Sequence, residues 1–276
     1  MRRKTYEELE FTDDFMFWNI LVYRKDLCKG LIELVLGVNI KEINLVEGQK
    51  TIEPKYDGHG IRLDVYVDDE KGTVYDLEMQ TTLSKGLPKR TRYYQSVIDM
   101  DILMKNEPYA KLKKSFIIFL CTEDAFGKHL PIYTFENVCL QDKNLKLNDE
   151  VYKVIVNPDS DRSGLSEEMN SLLDLLQGKA ELTGLAKDIS DAIIKEKEVQ
   201  RWRAEYMTLQ MKLMEEREEG REEGREEGLA EGLKEGISSA NLDRIKSAMK
   251  NGPMTFEAAC KLLDITKPDK YRNLIK

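Results

Sequence analysis

Histidine is nearly missing from this chain, with only His59 and His129 among 276 residues. Four cysteines, Cys28, Cys121, Cys139 and Cys260, stand far apart. Neither residue type recurs at the close spacing of zinc ligands, so zinc is excluded as an organising feature, and the thiols are expected to stay reduced. Long apolar runs are missing too. No stretch approaches the ~20 apolar residues of a membrane span. The opening Met1-Arg2-Arg3-Lys4-Thr5-Tyr6-Glu7-Glu8 runs into acids with no apolar signal core. The expectation is a cytoplasmic protein with no membrane partner. Positive charge is in deficit, 43 Lys and Arg against 51 Asp and Glu, a net charge of -8. An acidic total ordinarily argues against nucleic-acid binding, because neutralising phosphates takes clustered cations. The distribution is uneven, however. Much of the acid lies between Glu215 and Glu235, whereas Lys85, Lys89, Arg90 and Arg92 crowd together.

What is present suffices for one sizeable α/β domain and an appendage: 41% of the residues are apolar. Thr12-Asp13-Asp14 before Phe15, Phe17, Trp18, Leu21 and Val22 predicts an N-capped amphipathic helix. A second helix runs from Leu31 to Val38 and stops near Gly37. Ile43 to Ile52 supplies a first strand, followed by a loop from Pro54 to Gly60 that holds His59. Pro88 to Met104 has helical spacing, Ser115 to Cys121 is a continuous apolar run suited to a buried strand, and Tyr133 to Val138 and Val151 to Val156 are further strands.

The chemistry concentrates in Arg62-Leu63-Asp64-Val65-Tyr66-Val67 and Val74-Tyr75-Asp76-Leu77-Glu78-Met79-Gln80. Alternation places Asp64 and Tyr66 on one face of the first strand, and Asp76, Glu78 and Gln80 on one face of the second. If Asp64 lies opposite Glu78, Asp68 lies opposite Val74. The loop Asp69-Glu70-Lys71-Gly72-Thr73 then has ordinary hairpin length. That register sets two carboxylates about 5 Å apart. Such a pair is unfavourable unless a proton or a cation sits between them, and a hard divalent ion suits adjacent carboxylate oxygens. A metal-dependent hydrolase is the first reading, with Asp64 and Glu78 as metal ligands. Asp14 is either an N-cap or a supporting acid beside the metal. Gln95 is a candidate for orienting water or phosphate, although its neighbour Tyr94 reads equally as core. Lys85, Lys89, Arg90 and Arg92 are either a solvated helix start or a nucleic-acid-binding patch.

The ordered set Phe11-Thr12-Asp13-Asp14-Phe15-Met16-Phe17, Leu63-Asp64-Val65, Leu77-Glu78-Met79-Gln80 and Arg92-Tyr93-Tyr94-Gln95 resembles the PD-(D/E)XK nucleases. Within them it resembles the Rpn recombination-promoting nucleases, also called PD-(D/E)XK nuclease family transposases. The resemblance spans roughly residues 5 to 160. It implies an α/β, restriction-endonuclease-like core, a mixed central sheet flanked by helices. It further implies that Asp64 and Glu78 hold Mg2+, with Mn2+ or Ca2+ as substitutes, and that the ion and residue 80 activate water against a DNA phosphodiester. Recombination, mobile-element biology or defence would be the setting. Gln80 stands where the superfamily has lysine. Glutamine supplies no positive charge and no base, though its carbonyl accepts from water and its amide donates to phosphate; Lys85 or Lys89 are candidates for the missing charge. A catalytically inactive scaffold that binds DNA or protein and a nuclease acting on RNA are the alternatives.

The C-terminal part is expected to be all-helical, with a long polar helix from about Ala186. Arg-Glu-Glu-Gly occurs three times from Arg217 to Gly228, and glycine continues every fourth residue at Gly232 and Gly236. Each glycine costs about 1 kcal/mol in a helix, so this segment alone should be marginal. It is either a solvated linker or, since the glycines trace a slanting groove, a surface where another helix packs. Residues 1–160 would form the nuclease-like domain, 161–251 the helical extension and 252–276 a short terminal helical segment capped by Thr255. A homo-oligomer, most simply a dimer, fits both the groove and the need to cut two strands.

Overall fold

The computed structural model describes residues 4–53, 60–82, 85–252, 254–265, 267–272 and 274. The loop that holds His59 lies almost wholly outside them. Six strands form one sheet: β1 (Ile43–Ile52), β2 (Ile61–Asp69), β3 (Val74–Gln80), β4 (Ser115–Cys121), β5 (Ile132–Phe135) and β6 (Val151–Val156), in the order β1-β2-β3-β4-β6-β5. β1, β2 and β3 pair antiparallel, β3, β4 and β6 run parallel, and β5 closes the far edge antiparallel to β6. The sheet is mixed, as the resemblance implies. β5 is shorter than expected because Val138 leaves the ladder for an isolated bridge to Lys146. β4 is buried at every position, which is why its sequence shows no alternation.

Helices cover the sheet. α1 (Asp14–Tyr23) and α2 (Lys25–Leu36) precede β1, and α3 (Leu87–Ile102) makes the crossover from β3 to β4. The expectation of an amphipathic α1 is corrected: Phe15, Met16, Phe17, Asn19, Ile20 and Leu21 are all buried, so the helix is enclosed on nearly every side. Its capping also differs. Asp13 occupies the N-cap position without a side-chain cap; its carboxylate instead meets Lys4 Nζ at 2.7 Å and accepts from Glu10 N at 2.8 Å. Asp14 is the first helical residue. α2 ends at Gly37 in the left-handed conformation, φ 63°, where glycine carries no Cβ penalty. α1 lies so close to β1 that a Cβ on Gly48 would stand 2.7 Å from the Trp18 ring and 2.9 Å from Val22.

The chain divides into two compact units, Met1–Tyr206 and Met207–Lys276. This division falls after Tyr206, whereas the sequence places a boundary at residue 160. α4 (Glu167–Leu176) and α5 (Gly184–Lys197) pack on each other and on α2, and α5 also meets α1. The start of α6 (Gln200–Asn251) likewise belongs to the first unit: Tyr206 stacks edge-on with Phe15 at 5.2 Å and donates to Lys4 O at 2.9 Å. The second unit holds the rest of α6 with α7 (Phe256–Leu262) and α8 (Asp269–Arg272), around Ile245, Ala259, Cys260 and Tyr271. Thr255 caps α7, its hydroxyl accepting from Ala258 N at 3.3 Å. α6 is continuous through all five repeat glycines, and a Cβ on any of them would meet nothing within 4 Å. Among the described residues no helix is long and apolar enough to cross a membrane.

Replacing Gly48 by valine forces two methyl groups into the Trp18 and Val22 side chains. Urea denaturation should show a loss of roughly 1–3 kcal/mol, the usual cost of overpacking; undiminished stability would mean that α1 does not press on β1 as described.

Candidate active site

The β2–β3 register pairs Val65 with Leu77, Tyr66 with Asp76 and Asp68 with Val74. One step further, Asp64 comes opposite Glu78, as side-chain alternation requires. At this point the side chains replace the backbone ladder. Asp64 N–H donates to Glu78 Oε1 at 2.9 Å, and Met79 N–H donates to Asp64 Oδ2 at 3.0 Å. Each carboxylate is thus fixed by the backbone of the opposite strand. Arg90, from the first turns of α3, approaches Glu78 Oε2 at 3.4 Å.

Acidity is concentrated here at low solvent exposure. Glu78 is 3% exposed and Asp76, its neighbour on the same strand face, is wholly buried. Neither oxygen of Asp76 has a hydrogen-bond partner among the described residues. Burial, followed by the charge of Asp64, raises the Asp76 carboxyl well above the usual range. Glu78 is raised by burial and by both Asp76 and Asp64, against the pull of Asp64 N–H and Arg90. Burial pushes Asp64 to about 6, with Asp14 adding to the rise and Met79 N–H, Arg62 and Arg90 opposing it. Asp14 is itself raised by burial and countered by Arg62. Asp64, Asp76 and Glu78 therefore feel one another and Asp14 acts on Asp64, with Arg62 and Arg90 as the nearby cations. Asp76 and Arg62 were not singled out from the sequence. The signal was present, since Asp76 shares a face with Glu78 and Arg62 with Asp64 by the same alternation.

The other sequence candidates divide. Gln80 continues the Glu78 face; its Nε2 donates to Thr82 O, and its Oε1 is buried without a partner among the described residues. Arg90 is not part of an exposed patch. It lies over the Phe119 ring at 4.6 Å and the Tyr94 ring at 5.4 Å and supplies the positive charge beside Glu78 that Lys85 or Lys89 was expected to supply. Lys85, Lys89 and Arg92 remain exposed. Gln95 is not brought to the carboxylates. It is buried between Ser115 Oγ at 2.9 Å and Asp99 Oδ1 at 2.8 Å. Ser115 pairs with Val74, four residues and roughly 13 Å of strand from Glu78. Gln95 pins α3 to the start of β4.

The donors at Asp64 and Glu78 are all carboxylate oxygens, and their crowded charge is what a hard divalent ion would relieve. Among the described residues no group of three or more His, Cys, Asp or Glu side chains is arranged to hold a metal. A two-carboxylate set agrees with Mg2+, which retains several waters and takes one or two carboxylates.

A carboxyl whose pKa rises on folding favours the fold while protonated. That contribution is complete below the ordinary value of 3.8 and lost as pH climbs through about 6. In metal-free buffer, Asp64→Asn should therefore gain stability relative to the native protein between about pH 4 and pH 7, by up to about 3 kcal/mol. Urea denaturation across that range measures it, and a difference that stays flat with pH would contradict the burial of this charge.

Residues 12–174 match the family model described as PD-(D/E)XK nuclease family transposase. Comparison with curated proteins and with solved structures gives no match. The matched segment holds the complete sheet, both carboxylates and Gln80, and it spans more than half of the chain. The chain belongs to the PD-(D/E)XK nuclease family transposases.

Proposed function

We propose that the protein is a Mg2+-dependent DNA endonuclease, cytoplasmic, acting in recombination, mobile-element biology or defence. The reading is carried by the cross-strand exchange in which Asp64 and Glu78 each take a backbone N–H from the other's strand. That exchange orients both carboxylates through backbone donors, with Arg90 on the other oxygen of Glu78. When bound, Mg2+ would supply a water of lowered pKa and neutralise charge on the phosphate. Asp64 and Glu78 would hold it, and Asp14 would add negative potential. Arg90 offsets part of that potential from the Glu78 side. The Gln80 amide is turned to Thr82 O, and its Oε1 can accept a hydrogen bond but cannot take a proton. Lys85, Lys89 and Arg92 are exposed at the start of α3 and suited to DNA phosphates.

A non-catalytic scaffold is favoured by one observation, the glutamine in lysine's place. The two readings separate in one assay. Purified protein at low salt should nick plasmid DNA with Mg2+ or Mn2+, and Asp64→Ala or Glu78→Ala should cut the rate a hundredfold or more, since loss of outer partners alone typically costs about 10–100-fold. Absence of cleavage with Mg2+, Mn2+ or Ca2+, with DNA binding unchanged in Glu78→Ala, would establish the scaffold. Preferential cutting of RNA in the same assay would change the substrate.

The uncovered glycine face of α6 supports a homodimer, which would bring two active sites to two strands. Removing residues 207–276 should reduce the solution mass to that of a monomer in light scattering; an unchanged oligomer would remove α6 from that role.

A further inference from the structure

Apart from the carboxylates, the first unit contains a cavity of about 380 Å3 between the start of α3, the 122–130 loop and the β5–β6 edge. Its floor is Leu87 and Ile155, its walls include the rings of Phe126 and Phe135, and Arg92 and Lys153 reach its rim. Neither cation is held in an ion pair among the described residues, although Asp99 lies near enough to feel Lys153. Phe135 is 43% exposed on an edge strand, so part of its ring stays open beyond its contact with Phe126. The volume suits a small ligand. An apolar floor, an open aromatic face and two cations suit a flat ring that carries a negative charge.

The wall is pre-set. Asp124 accepts from Phe126 N at 2.9 Å, Tyr133 Oη at 2.8 Å and His129 N at 2.8 Å, and these bonds outweigh burial to bring its carboxyl down to about 2. Phe126 then rests against Tyr133 at 4.9 Å and Phe135 at 5.2 Å. The ladder also ties this cavity to the carboxylates. Glu78 pairs with Phe119 and Phe119 with Ile155, while Lys153 pairs with Phe135. Partnered residues share a sheet face, so Ile155 lies on the Glu78 face two strand spacings away, roughly 10 Å. Arg90 bridges the gap over Phe119.

We propose that this cavity binds one unpaired nucleotide of a nucleic-acid strand, its base on Phe126 and Phe135 and its phosphate on Arg92 and Lys153, next to the carboxylate pair. It deepens and rests on the nuclease reading, naming as substrate a strand with at least one base out of its stack. Stacking on aromatic side chains tolerates any base, so the site confers preference for unpaired structure without a sequence code.

The test is fluorescence anisotropy with the full-length protein in EDTA, using a labelled eight-nucleotide oligothymidylate and a duplex of equal length. Phe135→Ala and Phe135→Leu should each weaken the single strand about tenfold while the duplex changes little, Phe135→Tyr should restore binding, and Lys153→Gln should weaken it with a shallower salt dependence. Equal affinity in the native protein, Phe135→Ala and Lys153→Gln overturns the proposal. Displacement by free thymidine monophosphate at equal nucleotide concentration overturns its strand-borne part and assigns the cavity to free nucleotides. The same losses in an Asp64→Ala background, with no cleavage by the native protein in Mg2+, would uphold the cavity and reject the nuclease.

Discussion

Two acids face each other across a pair of strands, and the strands themselves hold them there. Asp64 takes the N–H of Met79 and Glu78 takes the N–H of Asp64, so neither carboxylate can swing away without leaving a backbone donor unsatisfied in a buried place. Such a donor costs about 1–3 kcal/mol. Against this stands the repulsion of several buried carboxyls with only partial neutralisation by Arg62 and Arg90. A fold that keeps such an arrangement carries a destabilising site, which is the usual mark of function over stability.

The remaining architecture makes that cost tolerable. β4, buried at every position, anchors β3 from the other side in parallel register. α1 closes over β1 at Gly48 and brings Asp14 toward Asp64 from its first residue. α3 begins beside Glu78, delivers Arg90 there, and is fixed further along by Gln95 on Ser115. One helix therefore serves the carboxylates with one side of its first turns and the aromatic cavity with another, through Arg92.

The hairpin register was legible because period-two alternation and loop length leave one solution that buries Leu63, Val65 and Val67 together. The five-residue loop was nearly right: Gly72 adopts φ 75° and the strand simply runs on to Asp69. Less legible was anything decided between elements. Arg90 and its neighbours form a single basic cluster in sequence, yet only Arg90 turns inward, because Phe119 and Tyr94 offer it ring faces. Gln95 shares its composition with a catalytic amide, and its distance from Glu78 follows only from the pitch of α3 against β4. The reach of the first unit to Tyr206 depends on contacts with Phe15 and Tyr6 that local pattern does not announce. The glycine repeat shows opposite behaviour: propensity argued for a marginal helix, and α6 nevertheless runs unbroken from Gln200 to Asn251.

Everything chemical here turns on whether the oxygens of Asp64 and Glu78 share a cation. A crystal soaked in Mn2+ and measured at the manganese absorption edge answers it. An anomalous peak within about 2.0–2.2 Å of one oxygen from each residue, the span expected for such ligands, is the predicted result. No peak there at saturating Mn2+, with Glu78 Oε1 still bonded to Asp64 N–H, would contradict it.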